Sequence, residues 1–144
     1  MSLKKILSLF LLLFSLIGAS SADFGDGLDA YNAGDHKTAL QEWLSLAEDG
    51  DVRAQYNLGW MNAYGIGTLK DYEQAVNWYR KSADQGLVDA QFNLGNMYLR
   101  GDGVEQDYTI AYSWFIKAAE QGDAAAQYNL GLMYIKGKGV VANM

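Results

Sequence analysis

Ala90-Gln91-Phe92-Asn93-Leu94-Gly95 decides the fold, because the chain writes it three times. Ala54-Gln55-Tyr56-Asn57-Leu58-Gly59 stands 36 residues before it, and Ala126-Gln127-Tyr128-Asn129-Leu130-Gly131 stands 36 residues after it. The register extends outward from these cores without a gap. Met61, Met97 and Met133 recur, as do the pairs Gly65/Gly67, Gly101/Gly103 and Gly137/Gly139. Asp71 and Asp107 recur, with Asn143 in the next place. Ala75 and Ala111, Ala83 and Ala119, and Gly86 and Gly122 complete the pattern. Identities this numerous at one period mean stacked copies of one supersecondary unit.

Each unit reads as two helices. Ala54, Leu58 and Met61 fall at steps of four and three, one face of a helix that the spacing predicts over about Val52 to Tyr64. The Gly-x-Gly that follows stops it, since glycine accepts the left-handed backbone at a helix C-terminus. Asp71 caps the next helix, with Gln74 placed to close a capping box. That second helix runs over about Tyr72 to Gln85, with Ala75, Trp78 or Tyr79, and Ala83 on its inner face, and Gly86 ends it. The next unit repeats the plan through Asp107, Ala111, Trp114, Phe115, Ala119 and Gly122. Small residues let paired helices approach closely, and the aromatic rings fill the groove between units.

Before Asp51 the copy diverges. Asp35, Ala39, Trp43, Ala47 and Gly50 lie 36 residues before Asp71, Ala75, Tyr79, Ala83 and Gly86, so Asp35 to Asp49 is a second helix, with a short first helix over about Asp26 to Ala33. The chain divides into a leader over 1–22, a divergent helix pair over 23–50, repeats over 51–86 and 87–122, and an incomplete repeat over 123–144. In the last, a helix over about Asp123 to Ile135 leaves Leu130, Met133 and Tyr134 partly bare. Three explanations stay open: a truncated product, a natural edge, or self-association through this C-terminal helix.

The leader has a basic start at Lys4 and Lys5, an apolar run from Ile6 to Ile17 broken by Ser8 and Ser15, and small residues from Gly18 to Ala22. That is the order of a secretory signal peptide, with cleavage expected after Ala22 and export to the periplasm or medium. The apolar run is short for a span of about 20 residues, so no stable membrane insertion is expected once it is cut. The whole chain carries 11 basic and 17 acidic residues, net −6. Removing Lys4 and Lys5 leaves 9 against 17, or −8, a surface that repels nucleic acid. There is no proline to break a helix and no cysteine; disulfides, thiolate nucleophiles and zinc–thiolate sites are excluded.

The Ala-x-x-x-Leu-Gly core, Tyr98 and Tyr134 after it, the Gly-x-Gly loop, the helix starts Asp71-Tyr72 and Asp107-Tyr108, and the endings Ala83-Asp84-Gln85-Gly86 and Ala119-Glu120-Gln121-Gly122 together resemble the Sel-one-like repeat, a tetratricopeptide-like subfamily. Asn62 stands where that family usually has tyrosine, and Leu69 and Glu105 replace a frequent loop proline. The resemblance covers about Asp26 to Met144. It implies an all-α fold, a right-handed α-α superhelix of antiparallel helix pairs, serving as an adaptor in signalling, secretion, envelope assembly or host interaction. Cysteine-rich relatives linked to β-lactams carry a disulfide in each repeat; this chain has none, and that property is not carried over.

In such a stack the first helix of each pair lines the concave side. Its outward positions are Arg53, Asn57, Trp60 and Tyr64 in one unit. They are Asp89, Asn93, Asn96 and Arg100 in the next, and Ala125, Asn129, Leu132 and Lys136 in the last. Asn57, Asn93 and Asn129 form a ladder of amides able both to donate to and accept from a peptide backbone. The same ladder is equally open to a structural reading, bonding to the backbone of the neighbouring unit. Trp60 is a contact candidate because tryptophan and arginine dominate interface energies, unless it packs on Tyr64.

Catalysis finds no support in these residues. The single histidine, His36, aligns with Tyr72 and Tyr108 and reads as packing or surface. One histidine without cysteine makes no common zinc site. The Gly-x-Gly loops follow helices and not strands, unlike phosphate-binding loops. The expectation is an exported, cofactor-free and metal-free binder of a protein or peptide. An envelope-acting enzyme or inhibitor, and a fragment without function, are the alternatives.

Overall fold

A computed structural model describes residues 23–139. The expected leader over 1–22 and the cap position Asn143 lie outside the described residues. Among the described residues there are seven α-helices: α1 (Phe24–Asn32), α2 (His36–Glu48), α3 (Val52–Tyr64), α4 (Tyr72–Asp84), α5 (Val88–Arg100), α6 (Tyr108–Glu120) and α7 (Ala124–Ile135). Each packs chiefly on its neighbours in sequence, the arrangement of a solenoid whose units touch only adjacent units.

Local chemistry sets the helix ends. Asp35, Asp71 and Asp107 accept hydrogen bonds from the backbone N–H groups of Thr38 (3.1 Å), Gln74 (3.0 Å) and Ile110 (2.9 Å), satisfying donors that a helix start leaves orphaned. The capping box expected at Gln74 does not form. The Asp71 N–H that it would satisfy donates instead to the Asn62 carbonyl at 2.9 Å, so the box has no free donor to close on. Gly65 and Gly101 take φ of 69° and 78° at the ends of α3 and α5, and the next residues, Ile66 and Asp102, donate back to Met61 and Met97.

The core alternates very small with very large residues. Gly59 and Gly95 sit under the rings of Tyr79 and Phe115, so close that a Cβ would lie 2.6 and 2.8 Å from them. The expected division of labour is therefore altered. Tyr79 and Phe115 fill the space within a pair, over its own glycine, and Tyr79 also joins the cluster of Ala90, Leu94 and Met97 on the following helix. Of the two candidates on α4, Tyr79 is buried and Trp78 only partly so; on α6, Ala118 is more buried than the predicted Ala119.

The stack is tied by glutamines. Gln55, Gln91 and Gln127 each donate from Nε2 to the carbonyl eight residues back, Ala47 (3.0 Å), Ala83 (3.2 Å) and Ala119 (3.4 Å). Gln85 then donates to the Gly50 carbonyl and to Gln55 Oε1, at 3.1 and 2.8 Å, and Gln121 repeats this on Gly86 and Gln91, at 3.1 and 2.9 Å. One amide thus bonds to the end of the preceding helix and is itself held by an amide 30 residues on. Ser82 adds a bond to the Val52 carbonyl at 2.9 Å.

Candidate functional site

The face opposite these glutamines carries a hollow of about 440 Å³. Tyr64 at the end of α3, Asn93, Asn96 and Arg100 along α5, and Asn129 on α7 contribute to its wall, with Tyr72, Tyr79, Phe92 and Asp102 beside them. Helical spacing produces the row, since residues three and four apart share a face. Asn93, Asn96 and Arg100 follow at steps of three and four on α5.

The polar groups here are oriented by one another. Asn129 donates from Nδ2 to Asn96 Oδ1 at 3.4 Å, across the two units. Burial pushes the Tyr79 phenol well above its ordinary value, and the nearby Tyr56 and Tyr64 add to the rise. Burial also raises the Tyr56 phenol, helped by the charge of Asp89. The Asn93 amide faces both hydroxyls and pulls the other way. Both phenols are therefore neutral hydrogen-bonding groups at physiological pH. Arg100 is exposed, the one cationic group among the residues that line this hollow.

A second, smaller hollow of about 260 Å³ is lined by Asn57 and Trp60 together with Leu28, Tyr31, Trp43 and Tyr56. Trp60 packs on Tyr64, the rings tilted by 40° with centroids 4.2 Å apart; Trp60 lines the smaller hollow and Tyr64 the larger. Three sequence candidates line neither. Arg53 lies over the Phe24 ring at 4.1 Å and pairs with Asp51 at 3.4 Å. Asp89 is exposed and acts on Tyr56 only through its charge. Lys136 is exposed at the C-terminal cap of α7. Ala125 and Leu132 also lie outside both.

The structural reading of the asparagine ladder finds one bond between units, from Asn129 to the Asn96 side chain and not to backbone. The bonds to neighbouring backbone come from Gln55, Gln91 and Gln127, whereas Asn129 bonds to another side chain. Among residues the sequence did not single out, Tyr56 and Phe92 reach the hollows from the third place of the repeated hexapeptide. An aromatic at that place in every unit was the available signal. Among the described residues, no group of three acidic, histidine or cysteine side chains is placed to hold a metal ion, and no helix is long and apolar enough to cross a membrane.

The comparisons with known proteins agree with this architecture. A family model described as the Sel1 repeat matches residues 52–87, 88–123 and 124–144. Among solved structures, the chain is similar to c5321, a protective antigen of uropathogenic Escherichia coli strains displaying an SLR fold, with 38% identity and a TM-score of 0.78, over 81% of this chain and 26% of that one. It is similar to a Sel1 repeat protein from Oxalobacter formigenes, with 33% identity and a TM-score of 0.78, over 84% of this chain and 50% of that one. Helicobacter pylori cysteine rich protein B aligns at 25% identity and a TM-score of 0.61, over 64% and 69% of the two chains. The chain thus spans about a quarter and a half of the first two. Among curated proteins, none matches it.

Proposed function

We propose that this chain, which belongs to the Sel1 repeat family, binds an extended segment of a partner protein along its concave face. Sel1 repeat proteins generally act as protein–protein interaction scaffolds and are typically not enzymes. The observation that carries the finer reading is the convergence of Asn93, Asn96, Asn129 and Arg100 on one hollow of about 440 Å³. Amides match the alternating donors and acceptors of a peptide. Arg100 offers a planar fork to a carboxylate. The backbone bonds between units are made on the other side by glutamines, and Asn129 and Asn96, bonded to each other at 3.4 Å, keep further donor and acceptor capacity for a guest. The order of basic, apolar and small residues before Asp23 favours action outside the cytoplasm, with the leader cut after Ala22.

The test is selection of displayed random peptides on the full-length protein, followed by affinity measurements. Asn129→Ala and Arg100→Ala are each expected to weaken a selected peptide about three- to tenfold, the scale of one hydrogen bond or charge-assisted contact. Both leave the helix content unchanged by circular dichroism. Selected peptides that bind both variants as tightly as the parent would place recognition elsewhere and overturn the reading.

A further inference from the structure

The smaller hollow has a composition unlike the first. Of its six lining residues, Tyr31, Trp43, Tyr56 and Trp60 are aromatic, Leu28 is aliphatic, and Asn57 is the single polar side chain without a ring. Its volume of about 260 Å³ falls below the roughly 300–1,000 Å³ of small-molecule sites, a size for one side chain.

The rest of the chain shows how its rings are used. Lys70 lies over Tyr72, Arg80 over Tyr98, Lys81 over Trp78, Lys117 over Trp114, Lys138 over Tyr108 and Arg53 over Phe24, each with the cation 4.1 to 5.8 Å from the ring centroid. Among the described residues, no cation of the chain is recorded over Tyr31, Trp43, Tyr56 or Trp60. Other rings, Tyr64, Tyr79 and Tyr128 among them, lack such cover too; what sets these four apart is that they line one hollow.

We propose that this aromatic hollow takes a lysine or arginine side chain of the bound segment, held by cation–π attraction. The negative quadrupole of a ring face draws a cation within about 6 Å, and Tyr31, Tyr56 and Trp60 line one space floored by the buried Trp43. The net charge of −6 favours a basic guest over an acidic one. Arg53, the nearest recorded cation through the Phe24–Trp43 stack (5.7 Å), is already paired with Asp51. The charge of Asp89 reaches Tyr56 on one wall of the hollow, a second influence favouring a cation there. The proposal deepens the peptide-binding reading and rests on it for the guest's being part of a chain. The Trp60–Tyr64 contact, with one ring lining each hollow, makes the two hollows neighbours, so a segment crossing it presents a basic residue on one side and a polar or acidic stretch near Arg100 on the other.

The probes are N-acetyl-lysine N-methylamide and its uncharged counterpart, N-acetyl-norleucine N-methylamide, titrated into the ¹⁵N-labelled full-length protein. The lysine derivative is expected to bind roughly two- to fivefold more tightly, the fold-change of an exposed cation–π contact. It moves the indole resonance of Trp60, the exposed one of the two at the hollow, and leaves those of Trp78 and Trp114, which Lys81 and Lys117 already cover. Trp60→Ala removes the response, and Trp60→Phe keeps part of it because the ring face survives. Equal or tighter binding of norleucine, a response confined to Trp78 or Trp114, or no saturable response overturns the inference. Peptides that bind through Arg100 with no preference for lysine would do so too, leaving the peptide reading intact. A lysine preference without any peptide binder would sink the peptide reading alone.

Discussion

Replacing Gly95 with alanine adds a single methyl group to the interior of α5, and the structure fixes what that methyl meets. Its Cβ would lie 2.8, 2.9 and 3.2 Å from Cε1, Cδ1 and Cζ of Phe115. Phe115 is fully buried and already packed against Phe92 at 5.8 Å between centroids, so it cannot swing away without opening the core. Overpacking of this kind costs about 1–3 kcal/mol. Against that, alanine gains about 0.5–1 kcal/mol over glycine in a helix interior. The net loss for Gly95→Ala is therefore about 0–2.5 kcal/mol. The repeat supplies its own control. Gly131 occupies the same place in α7, exposed, with nothing within 4 Å of its added Cβ. Gly131→Ala should show the propensity gain alone, and the difference between the variants, about 1–3 kcal/mol, isolates the steric cost.

Urea unfolding measures this, followed in parallel by tryptophan fluorescence and far-UV circular dichroism. Coincident transitions license a two-state analysis, and repeat arrays can lose that cooperativity. If the transitions separate, hydrogen exchange of the α5 and α6 amides reads the local loss instead. Equal stabilisation by Gly95→Ala and Gly131→Ala would refute the close ring-on-glycine contact, and with it the account of how each helix pair is built.

Two further outcomes follow from the same packing. Gln91→Ala should lower stability by about 1–3 kcal/mol, because it removes two hydrogen bonds of about 0.5–1.5 kcal/mol each, although the Ala83 carbonyl keeps the Gly86 N–H and Gln121 keeps the Gly86 carbonyl; a urea midpoint equal to the parent's would show that the glutamine bracket holds nothing. Tyr79 is neutral in the fold and has its pKa raised chiefly by burial. The stability tied to that neutrality is complete below the ordinary tyrosine value of 10.0 and is lost as pH rises above it. Tyr79→Phe should flatten the fall in thermal midpoint above pH about 10; an unchanged alkaline slope would mean other groups set it.

How much of this was legible beforehand depends on whether the deciding physics is local. The bounds of α3, Val52–Tyr64, came directly from the spacing of Ala54, Leu58 and Met61 and from Gly65. The caps at Asp71 and Asp107 came from the chemistry of a short carboxylate beside orphaned N–H groups. The missing capping box was not legible, because the competing acceptor for the Asp71 N–H is the Asn62 carbonyl across the loop. The smaller hollow was not legible either. Leu28 and Tyr31 come from the divergent first helix pair, where no repeat marks which face they occupy.

Repetition alone could not separate the duties of Gln55 and Asn57, since both amides recur in every unit. Helix geometry does. At about 100° per residue, positions two apart point about 200° apart, so one amide of the hexapeptide must face away from the other. The buried Gln55 and Gln91 turn toward the preceding pair, where a helix-end carbonyl that accepts one N–H from the turn glycine has a second lone pair to offer. Asn57, Asn93 and Asn129 are thereby carried to the opposite side, half-buried at the hollows. Most of the cohesion that a repeated amide supplies comes from the glutamines, with one bond between Asn129 and Asn96 added on the open side. Each stacking step that places a glutamine on a helix end thus also places an asparagine on the open face. A groove lined by amides is in this way a consequence of how the units adhere, and Arg100 and the rings of the smaller hollow, Trp60 among them, are the residues left to distinguish one guest from another.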